Sequence, residues 1–475
     1  MPAGCSIHAP AAKLAQTKPA SNQSLRRENP KNNCTTSSPP AEPLHTPMKA
    51  IYILLFLASP TLLWAAAPDL SKVKSRSDLD GVIASTTDPS TKKALSDHAL
   101  AILEAATQHP HVESIIRTVE TAPGSFTKIN TTPEPLKHAA GQELPIFDTL
   151  TSVSTSIAKG KAHAYRGAGE DPYDASFLEH LGHVRSLESV KIVATKIEDS
   201  WLPPLFNLKA LQSLSIEGTA RGLPGNPALG DASLARFRSL SECPKLSSLE
   251  LAYFGQATDE GLAMLSGLKN LEKFTFRGSP VNGHAFSKFK GWTNLKSINF
   301  HSNNLDDEGF GYVCENFPNL EFIKLWHSKL ITDASADHLR KLKHLKGIEI
   351  SCSKATAALL KHLHKLPLEY AAIEYGVISP ATDALANIKA VTTLRRLSVS
   401  AEKFSDADLT SLATITQIEE LSLSGLDLTD ERIPQLRSLA SLKSLTLIRY
   451  GKGYPDETQA KVKALLPKVA LNFVK

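Results

Sequence analysis

Sixteen histidines and five cysteines in a chain of 475 residues invite a search for metal or redox chemistry. The stretches HLRKLKHL and KHLHKL carry His338, His344, His362 and His364, which a helical reading places at solvated or half-covered positions. His362 and His364 are two residues apart, a spacing that puts them on different helix faces rather than around one ion. Cys5, Cys34, Cys243, Cys314 and Cys352 form no CxxC pair and have no histidines at ligand spacing, so neither structural zinc nor a redox dithiol is expected. If Cys5 and Cys34 are absent from the mature protein, the three that remain read as small buried hydrophobes, with one disulfide possible among them. GxSxG, HExxH, phosphate-loop and dinucleotide glycine patterns are missing. The expectation is a protein with no catalytic residues, no metal and no cofactor. What remains is recognition chemistry, concentrated in NLEFIKLWHSKL, residues 319–330. Leu320, Ile323 and Leu325 suit a core, while Phe322, Lys324 and Trp326 fill the alternate positions. On a strand, that alternation turns two large aromatics and a lysine away from the core.

The elements that must position them follow from a repeat. From Leu187 onward the order apolar, two residues, apolar, one residue, apolar recurs, starting at Leu187, Leu211, Leu246, Leu271, Leu295, Leu320, Leu345, Leu368, Leu394, Ile418 and Leu442. Nine of the ten spacings fall between 23 and 26 residues. The exception is 35, and GTARGLPGNPALGD, residues 218–231, accounts for it as a Gly- and Pro-rich loop at one rim. In LKNLEKFTF, Leu271, Phe274 and Phe276 point inward on a short strand that pairs with the strand of the next repeat. Ninth positions hold Thr195, Thr219, Ser279, Asn303, Ser328 and Ser353, suited to backbone groups where the chain leaves the strand. Asp259, Asp306, Asp333, Asp406 and Asp430 then precede apolar helical stripes as expected N-caps.

Positions three, five and seven of each repeat face the bare side of the sheet. They are Lys273, Thr275 and Arg277, then Ser297, Asn299 and His301, then Phe322, Lys324 and Trp326. Gly347, Glu349 and Ser351 follow, and then Tyr370, Ala372 and Glu374. Phe322 and Trp326 are expected about 13 Å apart along one strand, with Tyr370 about 10 Å away two strands over. Flanking repeats place small polar groups there: Ser213, Ser215, Ser248, Ser398, Ser400, Ser422, Ser424 and Ser444. The contrast marks Lys273, Arg277, His301, Phe322, Lys324, Trp326, Glu349, Tyr370 and Glu374 as the candidate ligand-binding set, because aromatics rimmed by charge dominate binding interfaces.

This period and consensus resemble the leucine-rich repeat, in the long-helix form of the ribonuclease-inhibitor and F-box-receptor type. The resemblance covers residues 143–475 and implies an α/β solenoid, curved, with a parallel sheet on the concave face, helices on the convex face and a protein ligand. With an export signal the whole chain resembles the secreted leucine-rich repeat proteins of planctomycete-type bacteria. ELPIFDTL is similar to the opening of an F-box, but the first clear repeat follows too closely for the remainder. An intracellular F-box-like adaptor of the ubiquitin-ligase type is the alternative, and an enzyme within residues 68–160 a third reading.

The remainder of the chain sets compartment and ends. Residues 1–47 are rich in Pro, Ser, Asn and Lys and read as a disordered tail or a start placed too far upstream. From Met48, a lysine, an apolar run and an alanine tract have the layout of a secretory signal over residues 48–67, so a secreted or periplasmic location is expected. Pro60 and the short run argue against stable membrane insertion unless that segment is uncleaved. Six basic and two acidic residues lie in residues 1–67, so the tail and leader together hold most of the net charge of +5. The near-neutral body offers no bulk affinity for nucleic acid. Residues 68–142 are expected to be a small helical region over the solenoid end. Its first helix starts at Asp88 and Pro89 and buries Leu95, Ala99, Ile102, Leu103 and Ala106; Pro110 ends it, and a second runs from about Val112 to Thr121.

Overall fold

A computed structural model describes residues 68–121, 128–137, 143–155, 173–193, 197–218, 226–351, 354–374, 381–401, 403–439, 441–449 and 451–475. The tail, the apolar leader, Thr195, Thr219, Cys352 and Ser353 lie outside these residues. Strands are β1 (Lys128–Lys137), β2 (Glu143–Ser154), β3 (Ser189–Val193), β4 (Ser213–Glu217), β5 (Asn226–Gly230), β6 (Ser248–Ala252), β7 (Phe254–Gln256), β8 (Lys273–Arg277), β9 (Ser297–Asn299), β10 (Phe322–Leu325), β11 (Gly347–Ser351), β12 (Tyr370–Glu374), β13 (Arg396–Ser400), β14 (Glu420–Ser424), β15 (Ser444–Ile448) and β16 (Ala470–Val474). Fourteen of them form one sheet in chain order, with β5 and β7 paired separately. All neighbours from β2 onward are parallel, and β1 joins β2 antiparallel.

Each parallel step needs a crossover, and each repeat supplies it with a short α-helix or 3-10 turn on one side of the sheet. Repeat positions one, four and six are buried in every described repeat, and a single apolar core runs from Val112 to Val469. Within it a file of rings passes from Phe237 to Phe254, Phe276 and Phe300, with centroids about 6 Å apart. Trp292 is packed among Phe274, Phe289 and Phe317. Cys243 and Cys314 are free, buried thiols, and burial pushes both above the usual thiol value.

The insertion is not all loop. Asn226–Gly230 is strand β5, Asp231–Phe237 is a helix, and residues 219–225 lie outside the described set. Lys128–Lys137 is likewise a strand inside the stretch expected to be helical to residue 142.

The N-terminal helices correct a second expectation. They are α1 (Arg76–Ser85), α2 (Pro89–Asp97) and α3 (Ala99–Thr121). Asp88 caps α2 through the Thr91 N–H, with Pro89 in the first turn, as its sequence predicts. The break, however, falls at His98, and α3 runs straight through Pro110. Leu95, Ala99, Ile102 and Ala106 form a small core with Leu70, Val73 and Leu79, whereas Val112 and Ile115 enter the solenoid core. An interior proline costs about 3 kcal/mol, and burial of both halves of α3 in two cores offsets it.

The aspartates at helix starts also do something other than expected. Asp306 is a true N-cap, accepting from the Gly309 N–H, but Thr258, Thr332 and Ser405 cap the helices at Asp259, Asp333 and Asp406. Freed from that task, first-turn aspartates reach the next repeat. Asp231 accepts from the Thr258 N–H and hydroxyl, each at 2.7 Å. Asp333 takes the Thr356 N–H and hydroxyl at 2.8 and 2.7 Å. Asp259 accepts from the N–H groups of Asn282 and Ala285. Asp307 accepts from the Thr332 N–H at 2.9 Å, the Thr332 hydroxyl and the Ser335 hydroxyl. A cap on one repeat is thus stitched to a carboxylate on the previous one.

Burial pushes the Asp307 carboxyl up, but the bonds from Ser335 and Thr332 and the charge of His338 outweigh it and hold it below the usual value. A depressed folded value means the stabilisation is complete above the unfolded value, about pH 4, and is lost as pH falls through the folded one. Asp307→Ala is expected to cost about 1–3 kcal/mol at neutral pH. Urea midpoints measured from pH 7 downward will show that difference narrowing below about pH 4.

Candidate ligand-binding face

The parallel register fixes which side chains meet. Phe322, Gly347, Tyr370 and Arg396 lie in one row across β10 to β13, and Lys324, Glu349 and Ala372 in the next. Glycine in the middle of the first row leaves a gap in side-chain cover, and Phe322 and Tyr370 lean into it. Their rings are 11° from parallel with centroids 6.4 Å apart, closer than two strand spacings. A Cβ on Gly347 would lie 2.6 Å from Phe322 Cδ2 and 3.5 Å from Tyr370 Cδ1. The Arg396 guanidinium covers the Tyr370 ring at 5.2 Å.

A chain of polar contacts joins these rings to Trp326. The Tyr370 hydroxyl donates to Glu349 Oε1 at 3.3 Å. Glu349 Oε2 is 2.6 Å from Lys324 Nζ, which stands 4.1 Å above the Trp326 ring. Trp326 packs in turn against His301 and His327, with centroids 6.1 and 6.4 Å away. The Trp326 indole N–H is buried and has no hydrogen-bond partner among the described residues. Burial, then the Glu349 charge, push the Tyr370 hydroxyl up to about 12. Burial also raises Glu374 above the usual carboxylate value, against the pull of His327 and Ser351.

Seven of the nine candidate residues therefore fall on or just after four neighbouring strands, β9 to β12: His301, Phe322, Lys324, Trp326, Glu349, Tyr370 and Glu374. The expected platform of three separate rings is instead a parallel pair and a Trp–His cluster, joined by the Lys324–Glu349 pair. Arg277 belongs elsewhere. It is 3.0 Å from Glu217 and 3.2 Å from Glu250, lies 4.9 Å from the Tyr253 ring centroid and has a side chain only 18% exposed. Its charge is engaged by the protein itself; burial in that cluster lifts Glu217 above the usual carboxylate range. Lys273 is exposed at the start of β8.

Three contributors lie outside the candidate set, although Gly347 is already on the bare face by its repeat position. Gly347 and Arg396 occupy the same repeat position as Phe322, so the signal was a glycine and a cation in an aromatic row. His327 is at position eight, where the backbone turns left-handed: Tyr253, Ser302 and His327 have φ of 62, 57 and 54°, and Gly278 and Gly425 have 66 and 90°. The conformation suits glycine, and an L side chain there is strained. His327→Gly is expected to raise stability by about 1 kcal/mol in urea unfolding, with weaker ligand binding through loss of the ring.

Repeat stride, in-register parallel strands and one shared core define a leucine-rich repeat solenoid. No family model matches the chain, and no curated protein does. Among solved structures it is similar to an internalin (inlF) from Listeria monocytogenes, at 16% identity and a TM-score of 0.36 over 71% of this chain and 94% of that one. A second is the TLR13–ssRNA13 complex, at 18% identity and a TM-score of 0.37 over 63% of this chain. The match spans about half of that protein, 48% of its length. At this level of superposition the fold assignment rests on the sheet register. Among the described residues no group of three or more His, Cys, Asp or Glu is arranged to hold a metal ion, and no helix is long and apolar enough to cross a membrane.

Proposed function

We propose that the chain is a non-enzymatic, exported recognition protein that binds a protein ligand across strands β9 to β13. The observation that carries this reading is the unbroken contact path Phe322–Tyr370–Glu349–Lys324–Trp326 on the helix-free face of the sheet. Side chains held by one another lose little freedom when a ligand docks, which lowers the cost of binding. Serines at the equivalent places of β13 to β15 give the patch an edge. A protein fits better than a polyanion, because Lys324 is neutralised by Glu349, and Arg277 by Glu217 and Glu250. Export rests on the leader from Met48, and amino-terminal sequencing of the native protein tests it: a first residue near 68 supports it, and an intact Met1 opposes it.

The test of the site compares proteins captured from a native extract by immobilised wild type and by Phe322→Ala/Trp326→Ala. The expected result is a partner that is lost with the double variant and then binds purified wild type directly. Equal capture by both would remove the site.

A further inference from the structure

We propose that the rim of the sheet where the strands begin is a self-association surface whose partner is a second copy of this chain, docked about a two-fold axis. The residue immediately before each strand from β8 to β15 is charged, in the order Glu272, Lys296, Glu321, Lys346, Glu369, Arg395, Glu419 and Lys443. Signs alternate without exception over eight strands, and the row ends at uncharged Ser247 on one side and Val469 on the other.

Within the chain the row is only partly satisfied. Glu272–Lys296 is 3.8 Å, Glu321–Lys346 2.8 Å and Glu419–Lys443 2.7 Å, with every one of these side chains at least 39% exposed. Glu369 and Arg395, near the middle, have no ion-pair partner among the described residues. Beside the row runs an open groove of about 340 Å³, lined by Glu272, Lys296, Asn319, Glu321, His344 and Lys346.

The periodicity selects the partner. Strands are about 4.8 Å apart, so like charges recur every 9.6 Å or so. A surface of one sign meets attraction and repulsion in turn and gains nothing. Complementarity requires alternating charges at the same pitch, which a second copy of this rim supplies. Reversing an even-numbered alternating row exchanges its signs. In antiparallel docking Glu272 meets Lys443 of the second copy, Lys296 meets Glu419, Glu321 meets Arg395, and Lys346 meets Glu369, each twice by symmetry. Parallel docking in register sets like against like. Exposed pairs are individually weak and screened by salt, so the association is weak and ionic-strength dependent.

Sedimentation velocity on the full chain tests this. Wild type at about 100 µM is expected to dimerise at about 20 mM salt, with affinity falling at least roughly tenfold by about 300 mM. Glu272→Lys/Glu369→Lys and Lys346→Glu/Lys443→Glu each set like charges opposite one another in half of the contacts, and each alone is expected to be monomeric. Mixed, the two variants restore all opposite pairs and are expected to form a heterodimer. Circular dichroism checks their folding; if reversal disturbs it, Glu272→Gln/Glu369→Gln is expected to weaken dimerisation, and an unchanged dimer would overturn the proposal. Monomeric wild type at low salt, dimers of either reversal variant alone, or no association on mixing would also overturn it, leaving the rim as a tie between neighbouring repeats.

Discussion

Trp292→Ala is expected to lower stability by about 3–5 kcal/mol, in the range for large aromatic deletions from packed cores. Trp292 is fully buried, and Phe274, Phe289 and Phe317 surround it with centroids 4.8 to 5.9 Å away. Three rings on three elements cannot close the space together without leaving their rotamers. The indole N–H also donates to the Ser266 carbonyl at 2.8 Å, so truncation leaves that acceptor unmet as well. Each repeat contacts only its neighbours, so the loss concentrates between β8 and β10 rather than spreading through the chain. Urea unfolding followed by circular dichroism will show a lower midpoint, and the transition is expected to broaden or split. A shift under about 1 kcal/mol would mean the aromatic cluster is not a load on the fold.

Phe322→Ala/Trp326→Ala is expected to weaken the captured ligand by about three orders of magnitude, since aromatic anchors contribute roughly 2 kcal/mol or more each. Both residues lie outside the leucine core, so their removal leaves the strands and their register in place. The double variant separates the two roles of the aromatics: affinity measured by titration falls, whereas the unfolding free energy from urea titration changes by less than about 1 kcal/mol. Removing Phe322 strips Tyr370 of its stacking partner, and removing Trp326 frees Lys324 from the ring beneath it. The two effects meet at Glu349, which accepts from Tyr370 and forms an ion pair with Lys324, so the single variants are expected to be non-additive.

Stride and facing were legible in the sequence because they depend on period alone: Leu320, Ile323 and Leu325 are buried, and Phe322, Lys324 and Trp326 are not. What was not legible depends on partners distant in the chain. Asp and Thr can both cap a helix, and only the next repeat decides that Asp307 binds across while Thr332 caps. Pro110 signals a helix end, yet two separate cores hold its helix together. Arg277 has the type and place of a ligand contact, but Glu217 and Glu250 reach it from earlier repeats. The lean of Phe322 toward Tyr370 requires knowing that a glycine lies between them. The alternating rim was present in the sequence as a sign change at every stride, but its meaning depends on strands stacked in order.

A ligand bound to the strand face touches the chain at known segments. Hydrogen–deuterium exchange of the full protein, with and without the captured partner, reads that contact without mutation. Protection is expected over residues 322–327, 347–351 and 370–374, with the helix at Asp307–Asn316 unchanged. Protection confined to that helix or to the other crossovers, with the strand face exchanging as in the free protein, would contradict it.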